Sequence, residues 1–145
     1  MEKIYKIKCM YKSQLVQGKL EIANEENDIV INLYLDEMFF SAKSENYFYA
    51  LLELRKKLES QDVKLLCKGC CRNVYPSPMS IDMCGGLVAY SMKMGKEADK
   101  KVRIFDDCEL EEYATIEEQR LFYKQWYEDI VTIRKLKNEP RRQEW

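Results

Sequence analysis

The stretch Ile29-Val-Ile-Asn-Leu-Tyr-Leu35 carries the strongest β-strand signal in the chain and decides its fold class. Its branched and aromatic residues favour an extended backbone. Two more strand-like runs precede it, at Lys3–Tyr11 and at residues 15–22, with only short polar segments between the three runs. Every second residue from Tyr5 to Tyr11 is apolar, which indicates one buried face. We therefore predict an antiparallel meander at the start of the chain.

A first helix is predicted after the meander, with Ser44 or Asn46 as its cap. Apolar residues recur there at helical spacing, while the charged residues between them are expected to face water. The apolar positions are Tyr47, Leu51, Leu54 and Leu58, and the charged ones are Arg55, Lys56, Lys57 and Glu59.

A second long helix is predicted from Thr115 to about Leu136. Thr115 and Glu118 have the spacing of a capping box. An apolar stripe follows at helical spacing, consisting of Phe122, Trp126, Ile130 and Ile133.

The fold class follows from these elements and from three shorter apolar runs, at residues 63–67, 87–94 and 102–105. Residues 68–86 show no periodicity, and no linker or internal repeat divides the chain. We predict a single domain over residues 1–145 in the α+β class. Its mainly antiparallel sheet of five or six strands has two long helices packed against it.

Composition excludes several classes of function. The 145 residues include 24 Lys and Arg against 25 Asp and Glu, so the net charge of -1 does not predict a nucleic-acid or membrane partner. The chain has no histidine, which excludes Ser-His-Asp and Cys-His catalysis. The start of the chain lacks the apolar core of a signal peptide, and no run of 18 apolar residues occurs. We expect a cytoplasmic protein that is not an enzyme.

The cysteines Cys67, Cys70 and Cys71 stand together, with Cys84 and Cys108 further along the chain. A zinc site normally shows a second Cys-x-x-Cys or a Cys-x-x-His, and this chain shows neither. Reduced, buried thiols are the favoured interpretation, with no metal ion and no cofactor. A zinc-binding module is kept as a third interpretation of the whole protein.

The segment Arg72-Asn-Val-Tyr-Pro-Ser-Pro-Met-Ser80 is stiffened by two prolines. The glycines Gly85 and Gly86 after it allow a positive φ or a close backbone approach. We favour a rigid, packed crossover between two strands. The alternative is that the 68–86 loop belongs to a small ligand-binding domain or enzyme, with Arg72, Tyr75 and Ser77 as polar contacts.

Charge is unevenly distributed near the carboxyl end. Seven acids and no Lys or Arg lie between residues 106 and 118. Glu117 and Glu118 suit the start of a helix, but the five acids before them have no such explanation. These five, with Tyr113 at their edge, form the predicted partner-binding patch, which consists of Asp106, Asp107, Glu109, Glu111 and Glu112. The carboxyl end is basic instead and is expected to be a solvated helix end, with Arg134, Lys135, Lys137, Arg141 and Arg142.

Several pieces between residues 54 and 106 resemble a family of small bacterial proteins encoded beside polymorphic toxins. This family includes immunity proteins of contact-dependent growth inhibition systems. The more specific pieces are Val-Tyr-Pro-Ser at residues 74–77 and Gly-Gly-Leu-Val-Ala-Tyr at residues 85–90. The remaining pieces are Leu54-Arg-Lys-Lys-Leu-Glu59, Lys64-Leu-Leu-Cys-Lys-Gly69, Met94-Gly-Lys96 and Val102-Arg-Ile-Phe-Asp106.

The resemblance implies an immunity protein whose partner is a cognate toxin domain. Such a protein needs neither a catalytic residue nor a cofactor. Many toxins of these systems are nucleases with basic clefts, and an acidic patch with an aromatic edge is suited to block one.

Overall fold

The computed structural model describes residues 2–137 and confirms the α+β class. Its larger sheet has five antiparallel strands in the order β4-β3-β2-β1-β5. The meander is therefore consecutive, and β5 joins its far edge beside β1. The strands are β1 Lys3–Tyr11, β2 Gln14–Glu25, β3 Asp28–Leu35, β4 Met38–Ser44 and β5 Val63–Leu65.

A second, smaller antiparallel sheet has three strands in the order β6-β7-β8. These strands are β6 Val74–Tyr75, β7 Val88–Ser91 and β8 Lys100–Arg103. The helices are α1 Tyr47–Ser60, α2 Pro78–Cys84 and α3 Ile116–Lys137, with 3₁₀ turns at Lys68–Cys70 and Leu110–Glu112.

Helix α1 leads from β4 at one edge of the larger sheet to β5 at the opposite edge, and it packs against the sheet. Asn46 is its cap, accepting a hydrogen bond from the Tyr49 amide at 2.9 Å. Leu51 and Leu54 on the helix, and Ile7 and Leu33 on the strands, are fully buried between the two layers. This contact forms the main core of the protein.

The other face of the larger sheet is open and carries lysines beside aromatic rings. Lys6 and Lys19 lie directly opposite each other on β1 and β2. The Lys19 ammonium is 4.7 Å from the centroid of the Tyr34 ring, which in turn packs on Phe39. A cation–π contact of this kind partly offsets the repulsion between two lysines that face each other.

Residues 68–86 differ from the predicted aperiodic loop, since they contain a 3₁₀ turn, strand β6 and helix α2. Helix α2 is too short for periodicity to show, but Ser77 caps it and Pro78 begins it. The prediction for the two glycines is confirmed. Gly85 ends α2 with a φ of 62°, and a Cβ on Gly86 would lie 2.7 Å from Phe48 Cβ.

Arg55 contradicts the prediction that the charged face of α1 is solvated, since only 2% of it is exposed. Its guanidinium donates to Gly69 O at 3.3 Å, to Ala114 O at 2.9 Å and to Gln119 Oε1 at 2.6 Å. Burial is tolerated because these oxygens replace the water that the charge has lost.

Gln119 completes this buried network from the first turns of α3. Besides accepting from Arg55, its amide nitrogen lies within hydrogen-bond distance of three carbonyl oxygens, those of Gly69, Cys71 and Val74. One glutamine thus fastens α3 to the segment that links the two sheets.

The rest of α3 packs with the smaller sheet around Trp126 and Ile130, as the apolar stripe predicted. The capping box is also confirmed, with Thr115 and Glu118 bonded reciprocally at 2.8 and 3.1 Å. Arg134 was expected to be solvated, but it is buried and pairs with Glu97 at 2.5 and 2.7 Å. Arg141 and Arg142 lie outside the described residues.

Across residues 2–137, no helix combines the length and apolar composition needed to cross a bilayer.

We expect Gln119→Leu to lower the free energy of unfolding by about 3 kcal/mol. The substitution leaves buried carbonyl oxygens without their hydrogen-bond donor and removes an acceptor of Arg55. Urea denaturation followed by circular dichroism measures this. The matched control is Gln125→Leu at an exposed position of the same helix, where we expect a change below about 0.5 kcal/mol. Equal effects of the two substitutions would contradict the role given to the network.

Candidate functional site

The predicted acidic patch lies on a segment, residues 106–114, that runs antiparallel to residues 66–72. Isolated bridges pair Cys67 with Asp107 and Cys71 with Tyr113. Four backbone hydrogen bonds join the two segments: Lys68 N to Asp106 O at 2.7 Å, Cys108 N to Leu66 O at 3.3 Å, Arg72 N to Glu112 O at 3.0 Å and Ala114 N to Cys70 O at 3.0 Å. The acidic segment is therefore held to the core through its backbone.

Its side chains divide into an exposed group and a packed group. Asp106, Asp107, Glu109 and Glu111 are exposed, whereas Glu112 and Tyr113 are half-buried. Within the described residues, the carboxylates of Asp106, Asp107 and Glu111 form no salt bridge. These three charges are thus not used to hold the fold together.

Glu112 also has a role inside the fold, which its place in an acidic run does not predict. Its carboxylate accepts from the Glu109 amide at 2.9 Å and from Lys68 Nζ at 3.1 Å. The amide of Glu109, followed by the Lys68 ammonium, holds the pKa of Glu112 below its usual range. No spacing rule connects Lys68 with Glu112, because the two meet only through the antiparallel pairing.

Tyr113 lies at the edge of the acidic segment, where the predicted aromatic anchor was placed. Burial raises the pKa of its hydroxyl well above the ordinary value. The Lys64 ammonium lies 5.8 Å from the centroid of its ring. Tyr113 is therefore packed on one side, and only its remaining exposed edge is open to a partner.

Cations border the acidic segment at Asp106. This residue shares a shallow cavity of about 380 Å³ with Lys68, Lys101 and Arg103, so charge is mixed at that end. Negative charge without an interleaved cation runs from Asp107 to Glu112.

The alternative ligand residues Arg72, Tyr75 and Ser77 do not converge on one cavity. Ser77 is 1% exposed and serves as the cap of α2, accepting from the Ser80 amide at 3.0 Å. Tyr75 stacks on Tyr123 with ring centroids 4.2 Å apart, and Arg72 is exposed. The segment is thus packed mainly by its own structural contacts.

Two pairs of thiols meet beneath the acidic segment. Cys67 and Cys70 have their Sγ atoms 3.7 Å apart. Separately, the Sγ atoms of Cys71 and Cys108 and a carboxylate oxygen of Glu112 all lie within 4.8 Å of one another. The second grouping contains the chemical groups that can hold a metal ion, and only the fold reveals it, because Cys71 and Cys108 are far apart in the chain.

Cys84 differs from the other cysteines because it is only partly buried. Burial acts to raise its pKa, but the Ser80 hydroxyl and the amides that follow α2 outweigh it and hold the pKa below the ordinary value. By contrast, burial raises the pKa of Cys9 to about 12. Cys84 is therefore the thiol that combines partial exposure with a lowered pKa, the two properties that favour reaction.

No known protein family model matches the chain, and no curated protein is significantly similar to it.

We expect one thiol per native chain to react rapidly with Ellman's reagent near neutral pH, because Cys84 combines exposure with a lowered pKa. Absorbance during the reaction gives the number of fast thiols. Cys84→Ser should abolish the fast phase, while the control Cys9→Ser should keep it. A fast phase that persists in Cys84→Ser would show that another thiol is exposed.

Proposed function

We propose that this protein is an immunity protein that binds a cognate bacterial toxin domain and blocks its active or substrate-binding site. The observation that carries the proposal is the exposed, unpaired acidic charge on a segment with a fixed backbone. Asp106, Asp107 and Glu111 contribute nothing to internal ion pairing among the described residues. Charges that the fold does not use are available to a partner.

The fixed backbone matters because binding is opposed by the loss of conformational freedom. The hydrogen bonds to residues 66–72 and the 3₁₀ turn at Leu110–Glu112 order the acidic segment before any partner arrives. A preordered segment avoids most of the ordering cost of a mobile loop. The acidic charges are therefore presented in one arrangement.

The partner that suits this surface is a nuclease domain with a basic cleft. Such a cleft attracts phosphates, and a row of carboxylates competes for the same cations. Blocking of this kind requires no catalytic residue and no cofactor in the immunity protein. It also requires no nucleic-acid or membrane partner. The resemblance of residues 54–106 to immunity proteins supports the same proposal.

The direct experiment is a calorimetric titration. The titrant is the carboxy-terminal domain of the protein encoded by the gene immediately upstream of this one. We expect one-to-one binding that silences the toxicity of that domain. Absence of binding between two folded proteins would refute the proposed function.

A second experiment tests the surface. We expect the triple variant Asp106→Asn, Asp107→Asn, Glu111→Gln to associate about 10-fold more slowly at low salt, and with weaker salt dependence, because three steering charges are lost. Stopped-flow fluorescence at several ionic strengths measures both effects.

The matched control carries the same change of charge at another place, with Glu25→Gln, Glu26→Gln and Glu37→Gln in the exposed turns of the meander. It should associate like the wild type. If both triple variants slow association equally, net charge rather than the acidic segment governs the encounter.

A further inference from the structure

Three metal-binding groups converge where the acidic segment crosses residues 66–72. Cys71 and Cys108 are buried, and the partly exposed Glu112 lies beside them. Within residues 2–137, this is the one set of three Cys, Asp or Glu side chains whose ligand atoms lie within 4.8 Å of one another. The neighbouring pair Cys67 and Cys70 supplies two sulfurs but no third ligand.

We infer that Cys71, Cys108 and Glu112 form a binding site for a thiophilic divalent cation, with zinc as the preferred ion. Two sulfur ligands select soft or borderline metals over magnesium and calcium, and a carboxylate is an accepted third ligand of zinc. In a tetrahedral site with zinc–sulfur bonds of about 2.3 Å, the ligand atoms lie roughly 3.8 Å apart. The ligand atoms of the three side chains already lie within 4.8 Å of one another, so only small shifts are needed. The sequence predicts no metal because a second Cys-x-x-Cys or Cys-x-x-His is missing, and only the fold brings Cys71, Cys108 and Glu112 together.

The charges around this site can accommodate a doubly charged cation. Binding releases the two thiol protons to solvent, so two thiolates and one carboxylate surround a doubly charged cation. The net charge of the filled site is then -1, and the Lys68 ammonium lies 3.1 Å from the Glu112 carboxylate to offset it. Glu112 faces solvent on one side, which gives the ion an entry path and leaves the fourth position to water.

The consequence of binding is mechanical. Cys71 belongs to the segment held by Arg55 and Gln119, and Cys108 and Glu112 belong to the acidic segment. A bound ion would join the two segments through side chains in addition to their backbone hydrogen bonds. An ion that binds only the folded site adds its binding free energy to the stability of the fold. The ion would therefore stabilise this part of the protein. The proposed metal site does not depend on whether the protein binds a toxin.

The experiment is elemental analysis of the full chain, loaded with zinc sulfate and then dialysed. We expect about one zinc ion per chain, and a lower melting temperature after removal by a chelator. Cys71→Ser and Cys108→Ser should lose stoichiometric zinc, and Glu112→Gln should weaken zinc affinity by roughly 10-fold or more. The matched controls Cys84→Ser and Cys70→Ser should retain it.

Cobalt gives a readout that does not depend on the variants folding. In the wild type, charge-transfer absorption of bound cobalt should correspond to two thiolate ligands. Failure of the wild type to retain zinc or cobalt would overturn the site, as would loss of zinc in Cys70→Ser with retention in Cys71→Ser. A cobalt spectrum of four thiolates would also overturn it.

Discussion

A buried guanidinium surrounded by neutral oxygens is the constraint on which the rest of the structure depends. Arg55 makes no salt bridge among the described residues, and its Nε has no hydrogen-bond partner there. The desolvation of this charge is offset by carbonyl oxygens at fixed places, so those carbonyls must stay where they are. Two of them, Gly69 O and Ala114 O, belong to the two segments that form the candidate site.

The charge of Arg55 also affects the pKa of a nearby thiol. Burial raises the pKa of Cys70, but the Cys67 thiol and then the Arg55 guanidinium outweigh it and hold that pKa below the ordinary value. The Arg55 guanidinium is therefore close enough to the Cys70 thiol to favour its thiolate form.

The elements with clear periodicity could be predicted from the sequence, and the contacts between distant segments could not. The meander strands, Asn46 as an alternative cap of α1 and the Thr115 capping box follow from local patterns. Strand β4 lacks a strong local signal and forms because β3 supplies its hydrogen bonds. Arg55 has the local pattern of a solvated helix residue. Its hydrogen-bond partner Gln119 is 64 positions away in the sequence, so no local pattern indicates their contact.

The candidate site shows the same division. Exposure of Asp106, Asp107, Glu109 and Glu111 agrees with their charge, since isolated carboxylates avoid the interior. The pairing of Glu112 with Lys68 and its closeness to Cys71 and Cys108 depend on two segments that cross, which spacing along one segment does not encode.

The opposed lysines on the open face of the larger sheet bear on self-association. With a net charge of -1, the chain has little overall charge to keep its copies apart. An open sheet face with exposed rings such as Phe39 is a surface on which copies would otherwise stack. Stacking would bring Lys6 and Lys19 of one copy against those of another and strip water from their ammonium groups. We therefore expect the two lysines to disfavour the stacking of copies through this sheet face.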